Sequence, residues 1–491
     1  MDGQEIPSDS AHAGACRNRK EGDGTRTVGG YAARAPEGGR RARRREGDGG
    51  AATPSAAPLH VWARPEHAAV PRPTSPSRSP ADATIRPVSG DGRRRIGLGI
   101  VLACLAATLA LGLAVKGPCA SGEWGDGRQY ERLCYSDIVP LLGTEQLTGD
   151  RLPYLDACAE SDGQCDEYPV LSMYAMRAAA WASDGVLGFF AANAVFLALA
   201  AFATALCLYL LVGPRALYFA LAPTLAIYAF MNWDLIAVAF ATAATLAYAR
   251  RRDVASGVLL GLGAAAKLYP ALLVIPFVAG RFRERDPDAG IHLAWAAIAA
   301  WLAVNAPFAL AAPTSWWRFF EFNAERPADW DSLWFIGCHQ ATGELYCEPT
   351  GLINAGSLTL FLVSSALVWW VKRRREPDFA RWTLGLPILV LFLLTNKVYS
   401  PQYGLWLLPW FALALPSPGT FVAFSLADTA VFVTRFSWFG ESAGLGGLPI
   451  AAFEAAVLIR AFVLVWCIVE WVRRPHHDLL PQPAVTDPIP T

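Results

Sequence analysis

The stretch VASGVLLGLGAAAKLYPALLVIPFVAG (residues 254–280) is too long for one membrane crossing, which takes about 20 residues, and too short for two ordinary ones. Basic clusters flank it at 250–252 and 281–285, so the positive-inside rule places both ends on one side of the membrane. We therefore predict a hairpin of two short helices with Lys267 and Pro270 at its tip. Broken helices at membrane depth usually line a cavity.

The composition supports a membrane protein. Of 491 residues, 54% are hydrophobic and 17% are charged, whereas soluble proteins carry about 25% charged residues. With the hairpin counted as two helices, the apolar segments predict an all-α polytopic membrane protein, a bundle of about 12 transmembrane helices. The other predicted spans are 97–115, 185–212, 216–231, 234–249, 291–313, 352–371, 382–395, 402–415, 419–433 and 449–472.

Lysine and arginine clusters in the short connections all fall on one face of this bundle, which is predicted to be cytoplasmic. Two long loops, 116–184 and 314–351, then lie on the outer face. Residues 1–96 lack apolar periodicity and form a predicted disordered basic cytoplasmic tail. Such a tail can bind nucleic acid or anionic lipid, but a solvated tail is the simpler interpretation, so no nucleic-acid partner is predicted. The membrane domain spans 97–474, and 475–491 form a short cytoplasmic tail.

Six of the ten cysteines fall in the two outer loops. An even number on the outer face predicts disulfides in an oxidising compartment. The four cysteines of the first loop allow three pairings. Sequence separation favours the pairs Cys338–Cys347, Cys158–Cys165 and Cys119–Cys134. No spacing of His, Cys and Asp is typical of a metal site, so no metal centre is predicted.

Two carboxylates of the acidic first loop, Asp137 and Glu167, each precede an apolar stretch. Either could act as a general base at the membrane surface, or each could cap the following helix. Residues 169–183 are predicted to lie in the interface plane as an amphipathic helix, with Ser172 and Arg177 on its polar side.

The second loop contains an aromatic segment at 314–335, which predicts another interfacial helix. Arg326 and Asp331 add charged groups to this segment, at the outer surface of the predicted bundle. Asp234 in the turn NWD, Lys267, and the segment 396–403 add further polar groups at this level. Within that segment the candidate residues are Asn396, Lys397, Tyr399 and Gln402.

Lys267 and Lys397 lie on the side of the membrane that the positive-inside rule depletes of lysine. They either snorkel to the surface or face a cavity. Fixed cations beside a carboxylate suit an anionic, partly lipidic substrate, such as a lipid-linked sugar phosphate.

These motifs, in this order, resemble glycosyltransferase family 87 over about 97–472. The residues that carry the resemblance are CYSDI (134–138), RLPYLD (151–156), EYPVL (167–171), NWD (232–234), GLGAAAKLYPALLVIP (261–276) and NKVYSPQYGLWLLP (396–409). The family comprises actinobacterial cell-envelope enzymes of the GT-C class. The resemblance implies transfer of mannose, or a related sugar, from a polyprenyl phosphate donor on the extracytoplasmic face of the plasma membrane, with inversion.

The resemblance maps the catalytic base onto Asp137, although such enzymes often place this acid closer to the first span. Residues expected to bind donor phosphate or sugar are Lys397, Lys267, Arg326, Tyr399 and Gln402. Residues expected at the acceptor or behind the binding groups are Glu167, Asp234, Asn396 and Asp331. A glycolipid or glycan is the implied acceptor. No cofactor beyond the lipid-linked donor is implied, and whether a metal is needed stays open. The alternatives are a non-catalytic lipid or polysaccharide transporter and a structural scaffold; acceptor and oligomeric state stay open.

Overall fold

A computed structural model describes residues 91–121, 124, 126–159 and 165–476. Throughout these residues the regular structure is helical, with no strand. The predicted basic tail lies outside the described residues except for 91–96, which already belong to the first helix. Of the predicted C-terminal tail, only residues 475 and 476 are described.

The α-helices of the described residues are listed here in chain order. They are α1 (Asp91–Ala120), α2 (Arg128–Glu131), α3 (Ile138–Thr144), α4 (Val170–Trp181), α5 (Gly185–Val212), α6 (Leu217–Ala220), α7 (Pro223–Tyr228), α8 (Asp234–Ala249), α9 (Asp253–Ala266), α10 (Val274–Arg283), α11 (Pro287–Ala311), α12 (Pro313–Glu325), α13 (Leu333–Thr342), α14 (Thr350–Arg375), α15 (Gly385–Thr395), α16 (Leu408–Leu413), α17 (Pro418–Ser442) and α18 (Ile450–Arg473). Four 3₁₀ helices connect them, at Gly213–Ala216, Tyr269–Leu273, Arg381–Leu384 and Pro401–Trp406.

The chain is an all-α polytopic membrane protein, as predicted. Six helices in the described part are long and apolar enough to cross a membrane: α1, α5 with its extension to Ala220, α11, α14, α17 and α18. The expected spans at 216–231 and 402–415 are instead broken into short helices. Prolines start several of these pieces, at Pro223 and Pro401 for example, because proline lacks the amide that would continue a preceding helix.

Residues 254–280 form the predicted hairpin. Helix α9 ends where Lys267 adopts an extended conformation, with φ −155° and ψ 135°. A 3₁₀ turn over Tyr269–Leu273 then leads into α10. At the other end, the Arg281 guanidinium donates to the Asp253 carboxylate at 2.5 Å and to the Tyr248 carbonyl at 2.6 Å. The two ends of the hairpin are therefore held together, and Lys267 lies at the opposite end of the bundle.

Two glycines let α9 cross α11 at very close range. A Cβ atom on Gly257 would lie 2.2 Å from the carbonyl oxygen of Leu293, and one on Gly261 would lie 2.3 Å from that of Ala297. The spacing of four residues places both glycines on one face of α9, as in small-xxx-small packing of membrane helices. This crossing fixes the stem that presents Lys267.

The basic clusters meet at one end of the bundle. Arg251 pairs with Glu284 at 2.7 Å, and Arg283 pairs with Asp378. The Lys372 ammonium donates to the carbonyl of Arg474 at 2.6 Å. The clusters at 250–252, 281–285, 372–375 and 473–474 therefore lie at the same end of the bundle, and the cytoplasmic location of this end remains a prediction.

The six cysteines of the outer loops lie toward the other end and form three disulfides. The bonds are Cys119–Cys134, Cys158–Cys165 and Cys338–Cys347. This is the pairing favoured by sequence separation among the three that the first loop allowed.

The sequence suggested that α4 presents a polar side to water, but in the structure this side is buried. The Ser172 hydroxyl donates to the Ala266 carbonyl at 2.6 Å, and the Arg177 guanidinium donates to the Leu147 carbonyl at 2.6 Å. Both side chains are buried against the protein, because free backbone carbonyls of neighbouring segments need donors there. The aromatic segment forms α12, with Phe319 buried and Trp317 57% exposed, and its position in the membrane interface remains a prediction.

The close crossing gives a stability prediction. Gly261→Val should lower the thermal unfolding midpoint and the yield of folded protein in detergent, because its side chain meets backbone that cannot move aside; overpacking commonly costs about 1–3 kcal/mol. Gly99→Val in α1 is the matched control, since nothing lies within 4 Å of its Cβ position. Equal midpoints for the two variants would contradict this packing.

Candidate active site

A cavity of about 290 Å³ opens where the hairpin tip meets the two cysteine-bearing loops. Its wall combines the start of α3, the segment before α4, the hairpin tip, α12 and the segment after α15. The polar and charged residues that line it are Tyr135, Asp137, Glu167, Tyr168, Asn232, Lys267, Tyr269, Asn323, Arg326, Asn354, Asn396, Lys397, Ser400, Gln402 and Tyr403. Seven of the ten predicted binding and catalytic residues are among them.

Asp137 lies in the wall and is only 8% exposed. It occupies the N-cap position of α3, yet its side chain makes no capping hydrogen bond. Its carboxylate Oδ2 instead accepts from the Asn232 amide at 2.9 Å and from the Gln402 amide at 3.5 Å. The capping alternative therefore does not describe what this carboxylate does.

Asn232 connects Asp137 to the hairpin tip. Its Nδ2 also donates to the Tyr168 hydroxyl at 2.8 Å, while its Oδ1 accepts from the Lys267 ammonium at 3.5 Å. Lys267 in turn pairs with Asp234 at 3.3 Å. The sequence suggested the turn NWD but not the central role of its asparagine.

Lys267 is held on several sides. Its ammonium lies 5.0 Å from the centre of the Tyr168 ring and 5.3 Å from that of Tyr403, within cation–π range. Its counter-ion Asp234 is fully buried behind the cavity wall and accepts from the Trp406 indole at 2.7 Å. Asp234 therefore supports Lys267 and does not line the cavity.

Lys397 is 3% exposed, so it does not snorkel to the surface. Its ammonium donates to the carbonyls of Ala324 at 2.9 Å and Arg326 at 2.7 Å, at the C-terminal end of α12. Burial, with the nearby Arg326 cation, lowers the pKa of Lys397 to about 8. The side chain therefore docks α12 as well as lining the cavity, a structural role that the sequence did not reveal.

Arg326 differs from both lysines. Its guanidinium carbon lies 5.4 Å from the centre of the Phe322 ring, and within the described part of the chain the guanidinium makes no hydrogen bond or ion pair. Because a guanidinium carries five donors that fit phosphate or carboxylate oxygens, Arg326 is the cation of the cavity most available to an anionic ligand.

Glu167 is 7% exposed and also faces the cavity. It does not cap α4, whose N-cap is Pro169. Burial raises the pKa of Glu167 to about 7, an effect that the Arg326 charge only partly opposes. Its Oε1 has no hydrogen-bond partner among the described residues, so it is poised to meet a hydroxyl of a ligand.

Besides Asp234, two predicted site residues do not line the cavity. The Tyr399 ring packs on the Arg460 guanidinium, 3.7 Å from its carbon, and Asp331 pairs with Arg435 at 2.6 Å and with Arg460 at 3.3 Å. Neither Tyr399 nor Asp331 lines the cavity, so their predicted contact roles are not supported. Two buried guanidinium groups attract both side chains away from the cavity. Arg460 lies within a predicted span, where burying an arginine costs free energy unless it has a charged partner. This was the feature of the sequence from which the ionic cluster could have been predicted.

This ionic cluster supports the cavity from behind. The Asp329 carboxylate accepts from Arg435 at 3.2 Å and from the Ser400 hydroxyl at 3.1 Å. The Asp329 amide donates to the Lys397 carbonyl at 2.8 Å. The segment that carries Lys397 and Gln402 is therefore fixed by buried charges rather than left as a mobile loop.

The described residues contain one group of His, Cys, Asp or Glu side chains close enough to share a metal ion. It consists of Cys158, Cys165 and Asp166. The two cysteines are joined in a disulfide, and Arg151 pairs with the carboxylate at 2.6 Å, so this group does not have the free ligands that a metal needs.

The helices and the cavity define a polytopic membrane protein with a partly open polar cavity at one end of its bundle. The model of glycosyltransferase family 87 matches residues 168–396, slightly less than half of the chain, and supports the resemblance seen in the sequence motifs. The matched region contains Asn232, Lys267 and Arg326, while Asp137 and Gln402 lie outside it. A comparison with curated proteins gives no match.

The burial of Glu167 predicts a pH-dependent stability. The pKa of Glu167 is 4.5 in the unfolded chain and about 7 in the folded protein. Between pH 4.5 and pH 7, the unfolded chain therefore loses a Glu167 proton that the folded protein keeps, and the stability of the wild type falls as the pH rises. Glu167→Gln cannot ionise and should therefore be more stable than the wild type at pH 8, by an amount on the order of 1 kcal/mol or more, and similar to it at pH 4.5.

Thermal unfolding in detergent at the two pH values measures this difference. Glu131→Gln, at an exposed position of the same loop, serves as the control. A Glu167→Gln variant that is less stable than the wild type at both pH values would contradict the assignment.

Proposed function

We propose that this glycosyltransferase moves mannose, or a related sugar, from a polyprenyl phosphate donor to a glycolipid or glycan acceptor on the extracytoplasmic side of the plasma membrane. The observation that carries the proposal is a cavity lined by a buried carboxylate, Asp137, and by Arg326, whose guanidinium makes no hydrogen bond or ion pair among the described residues. One group suits the removal of a proton, and the other suits the binding of a phosphate.

Asp137 is the proposed general base. The amides of Asn232 and Gln402 hold its Oδ2, which orients the carboxylate toward the cavity. The acceptor hydroxyl gives its proton to Asp137 while its oxygen attacks the anomeric carbon of the donor sugar. The bond between that carbon and the phosphate oxygen breaks, and the electron pair leaves with the polyprenyl phosphate. Attack opposite the leaving group inverts the anomeric configuration.

Arg326 is the proposed principal ligand of the donor phosphate. The Lys397 ammonium already donates to two backbone carbonyls, and Lys267 already pairs with Asp234, so these lysines act on the phosphate mainly through their charge. Three cations around one cavity stabilise the negative charge that grows on the leaving phosphate.

An apolar side of the same cavity suits the lipid. Phe319, Phe322 and Phe392 line it together with Leu268, which is substantially exposed on the hairpin tip. Helices α11 and α14, near this side, bury little of their surface within the protein and therefore present most of it to lipid. An isoprenoid chain can lie against these side chains while its phosphate reaches Arg326.

The transporter alternative needs a polar cavity but no carboxylate that accepts a proton. The match to glycosyltransferase family 87 favours the transferase, and Asp137 gives the discriminating test.

Asp137→Asn should lower sugar transfer by about a hundredfold or more, because an amide keeps the shape and the hydrogen bonds of the carboxylate but cannot accept the proton. The assay incubates membranes that contain each variant with radiolabelled polyprenyl-phosphate-mannose and extracts the labelled product. Asp150→Asn, an exposed acid of the same loop, should behave as the wild type. Full activity in Asp137→Asn would remove Asp137 as the base, and loss in Glu167→Gln alone would assign that role to Glu167.

Arg326→Met should lower kcat/KM for the lipid-linked donor about tenfold or more, the equivalent of one charge-assisted hydrogen bond. Thermal unfolding should change little, since the guanidinium makes no hydrogen bond in the described residues. Arg373→Met, an exposed arginine at the basic end of the bundle, is the control. An unchanged kcat/KM in Arg326→Met would show that the phosphate binds elsewhere.

A further inference from the structure

Lys116 lies in the last turns of α1 and is 1% exposed. Its ammonium donates to the backbone carbonyl of Tyr135, and it lies 5.6 Å from the centre of the Phe432 ring. No other hydrogen-bond acceptor contacts it among the described residues. A buried ammonium with one neutral acceptor is costly unless an opposite charge is near.

That opposite charge is Asp137, two residues after Tyr135. The carboxylate and the Lys116 ammonium attract each other electrostatically. Asp137 is itself buried, and desolvation favours the protonated form of a carboxyl group. Each of the two groups therefore offsets the burial of the other.

Other titratable groups also face Asp137, but they are differently engaged. Lys267, at the hairpin tip, interacts with Asp137 and already pairs with Asp234. Tyr168, in the segment before α4, interacts with Asp137 and shares its partner Asn232. Lys116 is the cation near Asp137 that has no ion pair with another carboxylate in the described structure.

We propose that Lys116 is a positioning residue for the transfer reaction, holding the Asp137 carboxylate ionised and fixing the backbone that precedes it. This inference rests on the proposed role of Asp137 as the base. Without this cation, the desolvated carboxyl group would hold its proton to a higher pH, and less of it would be ready to accept the proton of the acceptor hydroxyl. The hydrogen bond to Tyr135 sets the direction in which the chain enters α3.

The test separates the charge of Lys116 from its hydrogen bond. Lys116→Gln can still donate to the Tyr135 carbonyl but carries no charge, whereas Lys116→Arg keeps the charge. Transfer from radiolabelled polyprenyl-phosphate-mannose is measured as kcat/KM over about pH 4.5–9 for each variant. Lys372→Gln is the control for the loss of a buried lysine far from the site, because Lys372 is buried at the opposite end of the bundle, where it donates to a backbone carbonyl and pairs with Glu376.

Removal of an adjacent opposite charge shifts a carboxyl titration upward by about 1–3 pH units. The acid limb of the profile, where kcat/KM falls as the pH is lowered, should therefore move to higher pH by at least one unit in Lys116→Gln, with activity recovering at high pH. Lys116→Arg and Lys372→Gln should keep the acid limb of the wild type. A merely structural role would lower activity at every pH without moving the limb.

A folded Lys116→Gln protein with the wild-type acid limb would overturn the inference while leaving the proposed function in place. If Lys116→Gln does not accumulate as folded protein, the pH profile of the wild type decides. A desolvated carboxyl group without a counter-charge titrates above about pH 6. A wild-type activity that falls off on the acid side above this pH would overturn the inference. Absence of transfer by the wild-type protein would overturn the proposed function and this inference together.

Discussion

The hydrogen bond from Asn232 to Asp137 is the contact on which the rest of the site depends. One amide joins the first cysteine-rich loop, the turn between α7 and α8, and the hairpin tip, because it donates to Asp137 and Tyr168 and accepts from Lys267. An amide can do this because it carries a donor and an acceptor on one planar group. Anionic, neutral and cationic side chains therefore keep fixed distances around one cavity.

Buried charges elsewhere make this arrangement rigid. Arg435 and Arg460, with their carboxylate partners, lie behind the segment that carries Gln402 and exert their effect without touching the cavity. Removing one member of such a cluster leaves an uncompensated charge in a poorly solvated place, which is strongly destabilising. The cluster thus ties the folding of α17 and α18 to the geometry of the site, and it explains why arginines occur in helices of spanning length.

The sequence predicted the features that periodicity and charge determine. The hairpin with Lys267 at its tip followed from length and flanking arginines, and the disulfides followed from separation and side of the membrane. The direction of individual side chains did not follow. Tyr399 turns to Arg460, and α4 buries Arg177, because each meets a partner from a segment distant in sequence. The role of Lys116 could not be predicted for the same reason: Lys116 lies at the end of an apolar span, and its partners come from a later segment of the chain.

The central claim is that Asp137 and Arg326 act on the two ends of one scissile bond. The most direct measurement is a cryo-electron microscopy structure of the Asp137→Asn variant with a bound polyprenyl-phosphate-sugar, in which turnover is blocked. The account predicts the phosphate within hydrogen-bonding distance of the Arg326 guanidinium and the sugar between that phosphate and residue 137. A phosphate bound outside this cavity, for example beside the arginines at the opposite end of the bundle, would contradict it.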